Sequence, residues 1–371
     1  MTQSGQTYAD SGVDYSAVDP IKVMAQKAAA DTAGNLQAFG ATEMAVSRGE
    51  SAYVWEENDA YRSLVVEGLG TKNLVADAVR VFSGKTHYDT IAQDAIAMIV
   101  NDLIVVGALP QVVNAYFAIG DPDWMRDEQR AGDLIKGWGA ACQAIGATWG
   151  GGETPVLKNI VEPATIDIGG AATGIINPKE RLVLGDKLAA GDSIVLIESS
   201  GIHANGITFV RKLAEKNRDI YKEKLSDGRT FGEALLTPTH LYVSLVRDLM
   251  EAGLDLHYMV NITGHGWRKL MRATADFSYV MHEVPPVPAE FSFMHERAGA
   301  DAKEMYGNFN MGAGFAVYVP AEQATKVIEI AAQQNLKAWA AGAVETGPKE
   351  VLITDPDAAG IRFKGDTLEV R

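Results

Sequence analysis

The chain has 371 residues, 47% of them hydrophobic and 22% charged, and a formal charge of −15, the composition of a globular protein with room for two domains. That charge excludes a general nucleic-acid or anionic-membrane surface, which needs basic patches, and a single cysteine, Cys142, excludes a disulfide framework and a cysteine zinc site. The opening residues lack a basic and then apolar leader, and the longest apolar runs are broken by Asn101, Asp102 or glycines, so a cytoplasmic enzyme is the expectation.

In chain order, Tyr8 to Pro20 is polar and turn-rich and reads as an arm before a helix at Ile21 to Ala30, while residues 31–60 show little regular pattern. Arg62 to Gly68 is an apolar, β-branched strand that runs into Gly-Leu-Gly-Thr-Lys and a helical pattern. A strand, a glycine turn and a helix start can present backbone N–H groups to an anion. Tyr88 to Pro110 then reads as an apolar helix carrying Asp94, Asn101 and Asp102. Asp94 and Asn101 stand seven positions apart, so they share one side of that helix, with Asp102 one step round.

A strand at Gln111 to Gly120, a helix at Trp124 to Ile145, the glycine turn GGGET (Gly150 to Thr154) and a strand at Ala164 to Ile176 complete an alternating first half. The charged stretch Asn177 to Asp192 divides the chain into domains 1–176 and 177–371. The second half begins with the strand SIVLIESSG, the turn HANG and a helix. Helices at Pro238 to Ala252 and Gly266 to Ala273 bracket a strand at His257 to Ile262. After a strand at Phe277 to Met281, Met305 to Pro320 reads as a loop feeding a strand, and a helix at Ala321 to Gln334 follows. Strands at Ala338 to Val344 and Val351 to Ile353 and a hairpin around Gly365 finish the chain.

Acids on an apolar helix need a cation or a hydrogen-bond partner. Two readings fit Asp94, Asn101 and Asp102: backbone capping and pairing with a basic side chain, or a site for magnesium and a triphosphate. The flanking loops EGLGTK and GGGET carry the oxygen ligands, backbone amides and lysine that the second reading needs. Under it, Asp94→Asn keeps the fold and loses magnesium-dependent nucleotide binding; under the first, the same change destabilises the protein.

Eight pieces in order, YADSGVD, EGLGTK, DTIAQDAIAMIVNDLIVVGALP, GGGET, SSGIHANGITFVRK, LLTPTHLYV, NITGHG and MYGNFNMGAG, resemble one family, the aminoimidazole ribonucleotide synthetases, also called phosphoribosylformylglycinamidine cyclo-ligases. The resemblance spans Tyr8 to Gly314. It implies a two-domain α/β (α+β) subunit whose N-terminal halves pair, in a homodimer, into a closed β-barrel with ATP held near the interface. It also implies ring closure of formylglycinamidine ribonucleotide in de novo purine biosynthesis, with ATP and Mg2+ as cofactors and K+ as a further candidate. A small-molecule kinase of the same superfamily and a catalytically silent nucleotide-binding member are the alternatives.

Carried over by this resemblance, Glu67, Asp94 and Glu153 become candidate magnesium or phosphate-site acids, with Asn101 and Asp102 lining the same pocket. Lys72 and the backbone of Gly68, Gly70 and Thr71 would face phosphates, and Gly152 and Thr154 would complete the nucleotide side. His203 and Asn205 would handle the substrate, His203 as donor or proton relay, with Asp94 as the catalytic acid residue of the first half. Thr263, Gly264, His265 and Asn310 would bind substrate, the first two at its ribose phosphate. The chain departs from the family at Glu67, His265, Gly307 and Asn308 and in a thinned glycine-rich segment, Ala33 to Ala41. A side chain at residue 265 must either point away from a bound phosphate or join the contact.

Overall fold

The computed structural model describes residues 15–358 and 360–365. The expected arm falls largely outside the described residues, as does the far strand of the hairpin beyond Gly365. Helix α1 covers Tyr15–Ala30, six residues earlier than the helix read from sequence.

Residues 41–176 build a six-stranded sheet from β1 (Ala41–Glu43), β2 (Tyr53–Glu57), β3 (Ala60–Gly68), β4 (Leu109–Ile119), β5 (Thr148–Glu153) and β6 (Ile166–Ile176), in the order β1-β2-β3-β6-β4-β5. Only β4 and β5 run parallel. The first two strands correct the expectation of little structure before residue 60. Their signal was local: Glu57 pairs with Ala60 across Asn58 and Asp59, with Asn58 at φ +54°, as a two-residue hairpin turn requires. A second correction concerns GGGET, which is the edge strand β5 and not a turn. A Cβ on Gly152 would lie 2.0 Å from the Ala115 carbonyl oxygen, so the glycine permits close approach of β5 to β4.

Helices α2 (Lys72–Ser83), α3 (Tyr88–Ile104), α4 (Asp123–Arg126) and α5 (Glu128–Ile145) complete this half. The central helix α3 is shorter than expected, because Leu109 and Pro110 already belong to β4. It packs on β3, β6 and α5. Ile91, Ile96, Ile99, Val100, Leu103 and Ile104 are fully enclosed, contributing roughly 10–15 kcal/mol of transfer free energy. That exceeds the several kcal/mol that burying an ion costs, so the helix can carry buried charge. The other face of the sheet leaves Val66, Val112 and Tyr116 exposed.

The second half contains helices α6 (Ile207–Lys216), α7 (Phe231–Leu235), α8 (Val243–Glu251), α9 (Ala289–Ala298), α10 (Ala302–Asn308) and α11 (Ala324–Gln333). Its strands are β7 (Asp192–Glu198), β8 (Tyr258–Asn261), β9 (Ser278–Met281), β10 (Ala313–Pro320), β11 (Ala338–Glu345), β12 (Glu350–Ile353) and β13 (Arg362–Lys364). They form one sheet in the order β13-β12-β9-β11-β7-β10-β8, with β9 and β12 its parallel pair. Central β7 and β10 are buried along almost their whole length, which explains their unbroken apolar runs. The expected loop at Met305 is instead α10, whose N-cap Asp301 accepts a 2.7 Å hydrogen bond from the Glu304 N–H. Asp-x-x-Glu at a helix start is a capping pattern legible in sequence. The segment Gly266–Met271 is a 3-10 helix and not a longer α-helix.

Candidate active site

Asp94, Met98, Asn101 and Asp102 recur on one side of α3, and each is met by a residue of the second half. The Thr239 N–H and Oγ1 donate to Asp94 Oδ1 at 2.8 and 2.5 Å, while the Lys72 ammonium lies 2.7 Å from Asp94 Oδ2. Gln93 donates to the Thr239 carbonyl at 2.9 Å, and Asn205 Nδ2 donates to Met98 Sδ at 3.2 Å. Asn101 donates to the His240 carbonyl at 2.8 Å and accepts from the Tyr242 N–H at 3.1 Å. Asp102 Oδ1 accepts from Asn261 Nδ2 at 2.7 Å. The polar side of α3 is thus a docking stripe between the two halves of the chain.

This placement bears on the acids expected to hold a cation. Asp94 and Lys72 are both fully enclosed. Burial pushes the Asp94 carboxyl up and the Lys72 amine down, and their mutual attraction opposes both shifts. Lys72 also donates to the Thr237 carbonyl at 3.1 Å, so it is turned onto Asp94 rather than opened towards a phosphate. Glu153 is exposed at the end of β5, where its Oε1 accepts from the Thr154 N–H at 3.2 Å. Among the described residues no three acidic, histidine or cysteine side chains converge as a metal site. Glu67, Asp94 and Glu153 are therefore not assembled around one ion, because Asp94 already has a lysine. The residues present do not form a ready-made magnesium site.

Strand β3 ends at Gly68, Gly70 takes φ +74°, and α2 starts at Lys72, which is the strand, turn and helix read from EGLGTK. Thr71 Oγ1 is buried there without a hydrogen-bond partner, and the Gly68 N–H makes a long 3.4 Å bond to Glu67 Oε2. Burial, and then the nearby Asp102 charge, push the Glu67 carboxyl up to about 7, with Lys269 partly opposing them. Lys269, on the 3-10 helix Gly266–Met271, donates to Thr263 Oγ1. An acid expected on the nucleotide side and a threonine expected on the substrate side thus share one corner. Gly264 and His265 are half-buried beside Thr263. His265 has φ −94°, and the left-handed position falls on Gly266 at +51°, so the backbone accepts a side chain at 265 without strain.

His203 is buried, 3% exposed, at φ +63°. Its Nε2 accepts the Ser200 N–H at 3.2 Å, which leaves the ring proton on Nδ1. Burial, then His240 and Lys72, hold its pKa well below the ordinary value, so this imidazole is neutral and enclosed. Its ring neighbours His240, half-buried, with ring centroids 6.4 Å apart. Asn310 is committed to structure. Its Oδ1 accepts from Ser199 Oγ at 2.9 Å and the Gly312 N–H at 3.0 Å, its Nδ2 donates to the Gly201 carbonyl at 2.9 Å, and Trp267 donates to its own carbonyl at 2.9 Å. It ties three loops together and has little capacity left for a substrate. Sequence reading missed Thr239, His240, Asn261 and Lys269. One signal was present: a polar Asn ending the apolar strand β8.

The chain matches the AIR synthase related protein family, the N-terminal domain over residues 49–176 and the C-terminal domain over 189–355. It is 34% identical over 342 residues to the phosphoribosylformylglycinamidine cyclo-ligase of Methanococcus maripaludis strain C6, covering 91% of this chain and 92% of that one. With the enzyme of the same name from Thermococcus gammatolerans it shares 36% over 288 residues, 78% of this chain and 80% of that one. Among solved structures, the HypE-HypF complex matches with a TM-score of 0.60 and 19% identity over 84% of this chain and 91% of that one. AaThiL complexed with AMPPCP and TMP matches at 0.56 and 18%, over 85% and 91%. The two-domain α/β fold is the one these structures share, and the chain belongs to the AIR synthase related family.

Proposed function

We propose that the protein closes the imidazole ring of formylglycinamidine ribonucleotide. ATP phosphorylates the formyl amide oxygen, the amidine nitrogen attacks that carbon and loses a proton, and phosphate leaves, giving aminoimidazole ribonucleotide, ADP and phosphate. The observation that carries this reading is the similarity to cyclo-ligases over nine-tenths of the chain, joined to a corner where Glu67, Asp102, Thr263 and Lys269 from both halves meet. An amide carbonyl is a poor electrophile with a poor leaving group, and phosphorylation corrects both. The protein's task is then positioning and charge neutralisation.

Within that reaction, Thr263 and Lys269 would hold the anionic end of the substrate, and the backbone of Gly68, Gly70 and Thr71 would face the nucleotide phosphates. Glu67 would take up the amidine proton near neutral pH, a role supported by its carboxyl being pushed up to about 7. Fold neighbours solved with AMPPCP and ADP support ATP as the phosphoryl donor. The exposed apolar residues Val66, Val112 and Tyr116 on the open sheet face support a homodimer through that sheet, and the separate sheets on either side of residues 177–191 support two domains divided there. No described helix is long and apolar enough to cross a membrane, in keeping with a cytoplasmic biosynthetic enzyme.

The test is turnover by purified protein of formylglycinamidine ribonucleotide with ATP, magnesium and potassium, following aminoimidazole ribonucleotide and ADP together. Equal amounts of both products are expected. ADP appearing only with a different acceptor would replace this reading with a small-molecule kinase, and nucleotide binding without turnover would replace it with a silent member.

A further inference from the structure

The turn at residues 263–269, whose ends Thr263 and Lys269 are proposed to hold the substrate's anionic end, is itself held from three sides. A Cβ on Gly266 would lie 2.4 Å from the Tyr306 carbonyl oxygen and 2.8 Å from the Asn308 nitrogen, so the turn lies directly on the last residues of α10. Trp267 donates to the Asn310 carbonyl at 2.9 Å and meets the Tyr306 ring edge-on, with centroids 4.9 Å apart. Arg268 reaches further. Its guanidinium carbon lies 5.3 Å from the centroid of the Phe363 ring on β13, and a Cβ on Gly307 would stand 2.8 Å from Arg268 Nη2, 3.1 Å from its Cζ and 3.1 Å from Phe363 Cε1. Gly307, a position at which the chain departs from its family, thus leaves open the seat that the guanidinium takes. Phe363 is 1% exposed and lies beyond residue 355, where the match to the family's C-terminal domain ends. Lys349, just before β12, adds a second tether from this C-terminal hairpin, donating to the Ala273 carbonyl at 2.6 Å.

We propose that Arg268 is a positioning residue for the substrate: seated over Gly307 and against Phe363, it ties the turn at residues 263–269 to the C-terminal strand and keeps it in the shape that receives the substrate's anionic end. The inference rests on reading Thr263 and Lys269 as that part of the site. Lys269 follows Arg268 directly and donates to Thr263 Oγ1, so a shift of Arg268 moves both donors. Arginine suits the seat because its flat, weakly hydrated guanidinium packs on an aromatic face, which a lysine ammonium does less well. The glycine is equally part of the arrangement. Residue 307 lies in α10, where alanine is ordinarily the better helix former, and what stands in the way of a side chain there is the guanidinium and the ring beneath it.

Three measurements on the full chain test this. Gly307→Ala should lower the melting temperature of the wild type and leave that of Arg268→Ala unchanged or raised, since the seat is then empty; equal losses in both backgrounds would mean that the guanidinium does not occupy it. Amide exchange at residues 262–269 should speed up in Arg268→Ala and in Phe363→Leu while that of β7 stays at the wild-type rate, and unchanged exchange at 262–269 would overturn the proposal. With formylglycinamidine ribonucleotide, ATP and magnesium, Arg268→Ala should raise KM for the ribonucleotide about tenfold and leave kcat and KM for ATP within about twofold. A loss of kcat with KM unchanged would overturn the positioning role, and so would wild-type values of both. Arg268→Met, which keeps the side-chain stem, replaces the alanine variant if that does not fold, and Phe363→Leu replaces both. Failure of all three to fold would overturn the proposal, because a clamp on one turn is not what the whole chain needs to fold. Absence of turnover in the wild type would be a failure of the ring-closing reading instead, and the melting and exchange measurements would still decide the clamp.

Discussion

The two ends of the polar stripe on α3 handle buried acid in different ways. At Asp94 one carboxylate meets one lysine and two donors from Thr239, and both charges are fully enclosed. Two helical turns later, Asp102 lies near Glu67, where the charges of Lys269 and Arg272 only partly oppose burial and the second acid. A matched and satisfied pair is a fastener. Burial, and then the neighbouring Asp102 charge, keep the Glu67 carboxyl poised near neutral pH, which is the property that chemistry uses.

The largest effect should come from breaking the matched end. Lys72→Met leaves Asp94 buried and unpaired, and should cost about 3–5 kcal/mol in urea denaturation. Adding Asp94→Asn should recover most of that, because no charge remains and the amide still accepts from Thr239. A loss below about 1 kcal/mol in the single variant would remove the distinction between the two ends.

The poised end should show itself in pH dependence. The folded value of Glu67, about 7, lies above its unfolded value of 4.5, so the folded state binds more protons between them. Stability from this group therefore falls as pH rises from about 4.5 and levels off above about 7, by on the order of 3 kcal/mol in total. Glu67→Gln should flatten that part of the profile. Equal slopes for wild type and variant across pH 5 to 8 would mean that Glu67 is not held up.

Between the two ends, Asn101→Ala removes both hydrogen bonds to the His240 and Tyr242 backbone and should cost about 2 kcal/mol. Faster amide exchange confined to residues 237–242 would mark the loop it docks; unchanged exchange there would deny the docking role. The smallest effect is expected at Glu153, exposed on an edge strand. Glu153→Gln should alter stability by less than about 0.5 kcal/mol, and a loss above about 1 kcal/mol would show that another copy of the chain encloses it.

Much of the architecture was open to reading. Apolar alternation or unbroken apolar runs marked β3, β4, β6, β7 and β10 because each meets a core on at least one face, and the order of motifs identified the family. The early strands β1 and β2 were missed because they are short, and the turn that carries β2 into β3, Asn58 and Asp59, is not a glycine turn. At the site, Asp94, Asn101 and Asp102 were rightly picked out as polar residues on an apolar helix, but not their partners. Lys72 lies 22 residues from Asp94, Thr239 lies 145 away and Asn261 lies 159 from Asp102.

The sequence by itself determined that a buried helix carries acids that must be neutralised, since periodicity is a local property and the cost of a buried charge is general. It also determined the family, through motifs that survive as short runs. Whether a metal ion, a lysine or a backbone amide does the neutralising was decided only by the tertiary structure. Burial sets how much each charge costs, and the folding of the second half onto α3 sets which donors reach it. Neither quantity exists until residues far apart in the chain are brought within hydrogen-bond distance.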